Sequence, residues 1–224
     1  MRARKILITT AALSLIFSTL APASANNPPR RILSGWLPDY SLARNLPTVE
    51  GNLDLIRDIS PFWYGLTGAT TIKDKYALGR YTTPKSTVIA RLKSNGLILL
   101  PTITDDTKKL VLAGLLANST TRTSIVQSIK DLVLRNNYDG IDLDFEVFYT
   151  QDGRSTWATT KPNWIAFIKE LSTELRQQGK LLSVTTPPDF APETKRAGNW
   201  VFSWAEIGPH IDRLRIMAYD FSTV

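Results

Sequence analysis

The sequence predicts an α/β fold in which parallel strands are covered by helices. Three observations lead there. After residue 31, apolar strand-like runs alternate with amphipathic helical patterns, which is the signature of successive βα units. The composition, 43% hydrophobic and 21% charged, is that of a folded chain rather than a disordered one. The length of 224 residues suits one large domain. Two architectures satisfy such a series, a doubly wound sheet and a β/α barrel. The first βα turn lacks Gly-x-Gly-x-x-Gly and no Gly-x-x-x-x-Gly-Lys loop occurs, which argues against nucleotide binding.

The elements follow in order. Ile32 to Pro38 reads as a first strand and Ile59 to Tyr64 as a second. Residues 65–84 are rich in Gly, Thr, Lys and Pro and read as a connection with room for a small hairpin. Thr87 to Asn95 is an amphipathic helix with Val88, Ile89 and Leu92 on one face and Gly96 just past its end. Leu97 to Ile103 is a third strand, and Ser124 to Asn136 a helix with Ile125, Ile129, Leu132 and Val133 at core spacing. Tyr138 to Val147 is a fourth strand. Pro162 to Gln178 is a helix that opens on proline and stops at Gly179. Lys180 to Thr186 is a fifth strand, Ser203 to Ile207 a short helix, and Arg213 to Phe221 a sixth strand.

The N-terminus is a separate matter. Met1 to Lys5 is basic, Ile6 to Leu20 is uncharged and mostly apolar, and Ala23 and Ala25 form an Ala-x-Ala site. This is the layout of a secretory signal peptide, residues 1–25, followed by a polar leader, 26–31. The apolar run falls short of the roughly 20 residues a membrane span needs. Cleavage is expected to release a secreted or cell-wall-associated protein with no membrane contact. It removes Arg2, Arg4 and Lys5 and no acid, so the net charge of +7 falls to +4 over 199 residues. The remaining basic residues are scattered, and no nucleic-acid partner is expected. The absence of cysteine excludes disulfides, thiolate metal sites and cysteine nucleophiles, and a lone histidine, His210, excludes two-histidine metal motifs. The core alone must hold the fold, as it can at this length, and a monomer is expected.

The fourth predicted strand carries the chemistry: Asp139-Gly140-Ile141-Asp142-Leu143-Asp144-Phe145-Glu146. Alternation puts Asp142, Asp144 and Glu146 on one face, about 6.5 Å apart in succession, and Ile141, Leu143 and Phe145 on the other. A buried parallel strand is normally apolar on both faces. Carboxylates there cost several kcal/mol each if unpaired, so folding alone does not account for them. Their mutual repulsion keeps at least one proton bound near neutral pH. Glu146, nearest the strand's C-terminal end, is best placed to deliver a proton as a general acid, with Asp144 and Asp142 behind it. Mg²⁺ or Ca²⁺ ligation and a plain acidic edge strand are the alternatives; the acid–base reading is preferred, with no metal and no cofactor.

At this motif the chain resembles the family 18 glycoside hydrolases, the chitinase-type barrels, whose hallmark is Asp-x-x-Asp-x-Asp-x-Glu at the end of the fourth strand. Asp139, Asp142, Asp144 and Glu146 fill it. The family's Met-x-Tyr-Asp at the sixth strand is matched by Met217-Ala218-Tyr219-Asp220. The second and third strands look most like those of bacterial spore-cortex and cell-wall N-acetylglucosaminidases. The resemblance implies a (β/α)8 TIM barrel, incomplete, with about six of eight strands present over residues 32–224. It further implies retaining, substrate-assisted cleavage of β-1,4-linked N-acetylglucosamine polymers, chitin or peptidoglycan. Glu146 would protonate the glycosidic oxygen while the substrate's 2-acetamido oxygen attacks the anomeric carbon. Asp144 would orient the acetamide N–H, Asp142 would support Asp144, Tyr219 would bond the acetamide carbonyl, and Asp220 and Met217 would line the sugar subsite. Asp139 and Gly140 would be structural. Trp36, Tyr64 and Tyr149, at or near strand ends, are candidates for stacking on sugar.

Two departures stand out. Thr102-Ile103-Thr104-Asp105 replaces the family's common Ser-x-Gly-Gly. No segment matches the seventh and eighth strands or the tryptophan that the eighth supplies. A non-catalytic chitin- or peptidoglycan-binding protein of the same fold, or an inactive fragment, are therefore the competing expectations.

Overall fold

The computed structural model describes residues 33–189 and 199–219. The predicted signal segment 1–25, the leader 26–31 and Asp220 lie outside the described residues. The chain runs through β1 (Leu33–Leu37), α1 (Leu42–Glu50), β2 (Ile56–Leu66), β3 (Ile72–Asp74), α2 (Lys85–Ser94), β4 (Ile98–Leu99) and β5 (Thr102–Asp105). It continues through α3 (Val111–Ala117), α4 (Ser119–Arg135), β6 (Gly140–Asp144), α5 (Trp157–Arg176), β7 (Leu181–Thr186), α6 (Trp204–Ile207) and β8 (Arg213–Ile216).

The sheet order is β1-β2-β5-β6-β7-β8, every neighbouring pair parallel. Sequential parallel strands with intervening helices are the arrangement of a β/α barrel, here with six strands in its path. The third predicted strand is split into β4 and β5 at Leu100 and Pro101, because proline has no N–H for a ladder; both pieces pair with β2. β3 turns back antiparallel onto the end of β2, forming the small hairpin expected in that connection.

Alternation along the strands builds two different interiors. Ile141 and Leu143 of β6 face outward and are fully buried with Ile125, Ile129 and Val133 of α4 and with Phe167, Ile168 and Leu171 of α5. Phe145, just beyond β6, stacks on Phe167 at 6.1 Å between ring centroids. The opposite face is polar: Asp58, Ser60, Thr102, Asp142, Ser183 and Thr185 are all buried. Such groups are tolerated inside only when hydrogen-bonded.

Several boundaries moved. The sequence reading assigns no element to residues 39–52, yet α1 forms there with Pro47 inside it; Leu42, Leu46 and Val49, buried on one face, outweigh the lost backbone bond. α3 lies in a stretch for which the sequence predicts no element. α5 begins at Trp157 rather than Pro162, since Trp157 is buried and its indole Nε1 donates to the Phe148 carbonyl at 2.7 Å. α4 starts at Ser119, where the Asn118 side chain caps the Thr121 N–H. Gly96 follows α2 at φ +74°, the left-handed conformation its expected position demands. β8 ends at Ile216, well short of Phe221.

β1 and β8 each pair with a single neighbour among the described residues. Instead of a backbone ladder between them, side chains cross from β8 to β2. Arg213 forms an ion pair with Asp58, and Arg215 Nη1 donates to Ser60 at 2.7 Å.

Gly140 opens β6 where a Cβ would lie 2.1 Å from the Leu181 carbonyl oxygen and 2.8 Å from the Leu100 side chain. Gly140→Ala is therefore expected to lower stability by about 1–3 kcal/mol, measured as a shift of the urea midpoint at unchanged slope. An unshifted midpoint would show that β6 and β7 are not packed this closely.

Candidate active site

The site grows from the polar face of β6. Register places Asp142 between Thr102 of β5 and Ser183 of β7, and Asp144 between Thr104 and Thr185. Asp142 is fully buried and accepts from Thr102 Oγ1 at 3.0 Å, Thr185 Oγ1 at 3.2 Å and Trp36 Nε1 at 3.3 Å. Arg215 Nη1 lies 3.4 Å from the same carboxylate, and its guanidinium sits 5.5 Å from the Trp36 ring centroid. Three neutral donors and one cation thus compensate this buried charge.

Asp144, one pleat nearer the C-terminal edge, is treated differently. It is 6% exposed and its Oδ1 is buried with no hydrogen-bond partner among the described residues. Burial, then the charges of Glu146, Asp142 and Asp105, push its carboxyl up to about 8, with Lys75 opposing. Asp144 therefore holds one of the protons expected in the acidic row at neutral pH.

β6 stops at Asp144, so Glu146 is not part of the strand row as alternation predicted. The backbone curls away because the Glu146 carbonyl accepts the N–H groups of Tyr149 and Thr150, both at 2.9 Å. Glu146 is left half-buried just past the strand end, and Tyr149, on the following turn, is about half exposed. Asp139 is tied into the fold at the other end: its Oδ2 accepts from the Leu99 N–H at 2.9 Å and Lys93 Nζ lies 3.0 Å from its Oδ1.

Trp36 is partly exposed beside Asp142. Met217 is buried, its N–H bonded to the Thr186 carbonyl at 3.0 Å, and the Tyr219 hydroxyl, on a largely exposed residue, donates to Met217 Sδ at 3.1 Å. Tyr64 needs a correction. It is 2% exposed, its hydroxyl lies 2.7 Å from that of Tyr138, and Lys85 Nζ donates to it at 3.0 Å. The register shift between Phe62 and Tyr64 reverses the alternation of β2. Gly65 then faces the Lys75–Asp106 pair, and Tyr64 is turned into the layer beneath the helices, where no sugar reaches.

Sequence reasoning missed four charged contributors. Lys75, following β3, donates to Thr104 Oγ1 and to Asp106 Oδ1, both at 2.8 Å. Asp105 accepts the Val147 N–H at 2.9 Å. Arg213 and Arg215 cross the polar interior. The arginines did carry a signal, since charge at every second residue of a predicted strand is the same anomaly that exposed the acidic strand. Asp105 carried one only as a departure from the family's Ser-x-Gly-Gly, and Lys75, lying in a connection, carried none. Among the described residues no cluster of three acidic or histidine side chains is arranged to hold a metal ion.

Residues 55–224 match the family described as Glycosyl hydrolases family 18, and the chain belongs to that family. Among curated relatives it is 31% identical over 111 residues to "Probable chitinase 10" of Drosophila melanogaster, covering 49% of this chain and 5% of that protein. It is 25% identical over 105 residues to "Uncharacterized glycosylase YvbX" of Bacillus subtilis, covering 47% of this chain and 28% of that one. The fold is shared with the Bacillus megaterium spore cortex-lytic enzyme SleL, at TM-score 0.65 and 17% identity over 86% of this chain and 43% of that chain. It is shared too with catalytic domain 2 of the Ostrinia furnacalis Group II chitinase, at TM-score 0.67 and 20% identity over 85% of this chain and 50% of the other. A mutant of that insect domain was solved with the chito-oligosaccharide (NAG)5. The chain thus spans about half the length of these solved structures and less of the curated relatives.

The raised carboxyls set the sign of a pH dependence. Asp144, at about 8, and Asp105, at about 7, both stay protonated in the folded state over a range in which the unfolded carboxyls, near 3.8, are ionised. The folded state then holds more protons, so stability falls as pH rises from about 4 to about 8. Asp144→Asn should flatten this slope and be more stable than the parent at pH 8 by roughly 2–5 kcal/mol. Urea titrations at pH 5 and pH 8 measure it; parallel pH curves for parent and variant would refute the assignment.

Proposed function

We propose that this chain is a secreted glycosidase that cleaves β-1,4-linked N-acetylglucosamine polymers, chitin or peptidoglycan, with retention and with help from the substrate's own acetamide. The supporting observation is the graded acidic run at the C-terminal end of β6: a compensated Asp142, a protonated Asp144 whose buried Oδ1 has no hydrogen-bond partner among the described residues, and a half-buried Glu146. The family's relatives and the sugar complex of a structural neighbour support the substrate class.

Glu146, outside the strand and reachable from the mouth, donates its proton to the glycosidic oxygen, and the bond to the anomeric carbon breaks as the proton arrives. The 2-acetamido oxygen closes on that carbon and forms a cationic oxazolinium. Asp144 presents its free Oδ1 to the acetamide N–H. The positive charge that develops there favours the ionised form of Asp144, whose proton passes to the Asp142 carboxylate behind it and returns when the oxazolinium opens. Asp142, held by four donors, is a preorganised acceptor beneath it. Glu146 then removes a proton from water, which opens the oxazolinium from the original face and retains the anomeric configuration. Tyr219 and Asp220 complete the acetamide and sugar contacts, and Trp36 supplies an apolar surface at the floor.

The test is hydrolysis of a fluorogenic N-acetylglucosamine oligomer by the full chain. Glu146→Gln should lower kcat by about 10²–10⁴-fold at nearly unchanged KM; full activity in that variant would sink the acid assignment. Secretion rests on residues 1–25, and the exported protein should begin at Asn26 on N-terminal sequencing. An intact Met1 in the exported protein would count against cleavage.

A further inference from the structure

The departure at the end of β5 has a geometric counterpart. Asp105 occupies a position where the resemblance calls for glycine, and glycine has no side chain to reach a neighbour. Alternation sets Asp105 on the face opposite Thr102 and Thr104, outside the acidic row. Its carboxylate extends beyond the last ladder bond of β6 and accepts two consecutive amide protons, those of Glu146 and Val147, the latter at 2.9 Å on Oδ2.

These two N–H groups lie just past the end of β6 at Asp144. The Glu146 carbonyl is occupied on its other side by Tyr149 and Thr150. The backbone of Glu146 is therefore held from both directions: its carbonyl by the following turn, its N–H by one side chain from the adjacent strand. We propose that Asp105 is a positioning residue for Glu146, fixing the backbone from which the Glu146 carboxyl is presented at the mouth; this rests on Glu146 being the acid.

The charge balance is consistent with a strained but bonded carboxylate. Burial lifts Asp105 to about 7; the two amides hold it down, and the charges of Glu146 and Asp106 add to the lift. Asp144 feels the same carboxyl from β6, where Lys75, ion-paired with Asp106, opposes the lift. An acid placed there without the two amides would have little reason to stay. A carboxamide of the same shape keeps an acceptor oxygen and sheds the charge, so Asp105→Asn separates hydrogen bonding from electrostatics.

The experiment compares parent, Asp105→Ala and Asp105→Asn as full chains, by hydrogen exchange of residues 144–150 and by kinetics on a chito-oligosaccharide. In Asp105→Ala the amides of Glu146 and Val147 should exchange at least about tenfold faster, with exchange in β6 and β7 unchanged. In the same variant kcat should fall about 10- to 100-fold with KM within about threefold, and Asp105→Asn should recover most of both. Unchanged exchange at 146–147, or a kcat within about twofold of the parent, would overturn the proposal. So would a raised KM at constant kcat. If Glu146→Gln retains activity, the acid assignment fails instead, and the exchange result alone then decides whether Asp105 holds this backbone.

Discussion

Asp142 is the interaction on which the rest of the interior depends. A fully buried carboxylate costs several kcal/mol unless it is paired and hydrogen-bonded. Its donors come from Trp36 on β1, Thr102 on β5, Thr185 on β7 and Arg215 on β8. One side chain thereby constrains the register of five strands, counting its own. A slip of one residue in any of them would carry the donor to the other face and leave the charge uncompensated. Arg215 extends the same set to Ser60 on β2, and Arg213 reaches Asp58 on that strand. These two arginines connect β8 to β2 through the interior, where the described residues show no ladder between β8 and β1.

Above that compensated layer Asp144 is less fully bonded. Asp144 has an unbonded buried oxygen, and like charges from Glu146, Asp142 and Asp105 surround it. Burial and repulsion both favour the protonated acid, and the positive charge of Lys75 opposes them. Lys75 is available because Gly65 leaves room for it. A Cβ there would lie 2.6 Å from the lysine Cε and 2.1 Å from an Asp106 oxygen. The hairpin of β2 and β3 thus serves the site by delivering one positive charge to a crowded set of carboxylates.

Irregularities of the strands shape the mouth as much as the regular ladder does. The bulge in β2 turns Tyr64 outward and Gly65 inward. Pro101 divides the third strand, yet its carbonyl still accepts the Asp142 N–H at 3.0 Å. The end of β6 at Asp144 frees Glu146 from the row and leaves its amide to be satisfied by a neighbour. Each is a one-residue event that changes which face a side chain occupies.

The parallel α/β order, the polar face of the fourth strand and the family's acidic motif were all legible in residue order, because they rest on short-range periodicity and on residues fixed in spacing along one strand. Gly96 and Gly179 likewise announced their left-handed conformations. The start of α5 is read too late, at Pro162, and α1 is not predicted, since local propensity cannot weigh the distant surface that Trp157 or Leu46 buries. Tyr64 was misplaced because alternation was carried through a bulge that only the pairing of β2 with β5 reveals. The sequence by itself determined which carboxylates the chain possesses and that three of them sit two residues apart. Only the tertiary structure decided how they differ: Asp142 compensated, Asp144 protonated, Glu146 set beyond the strand. The reason is physical: a carboxyl's proton affinity and reach depend on burial, donors and charges brought from other strands, and those neighbours are far away in sequence.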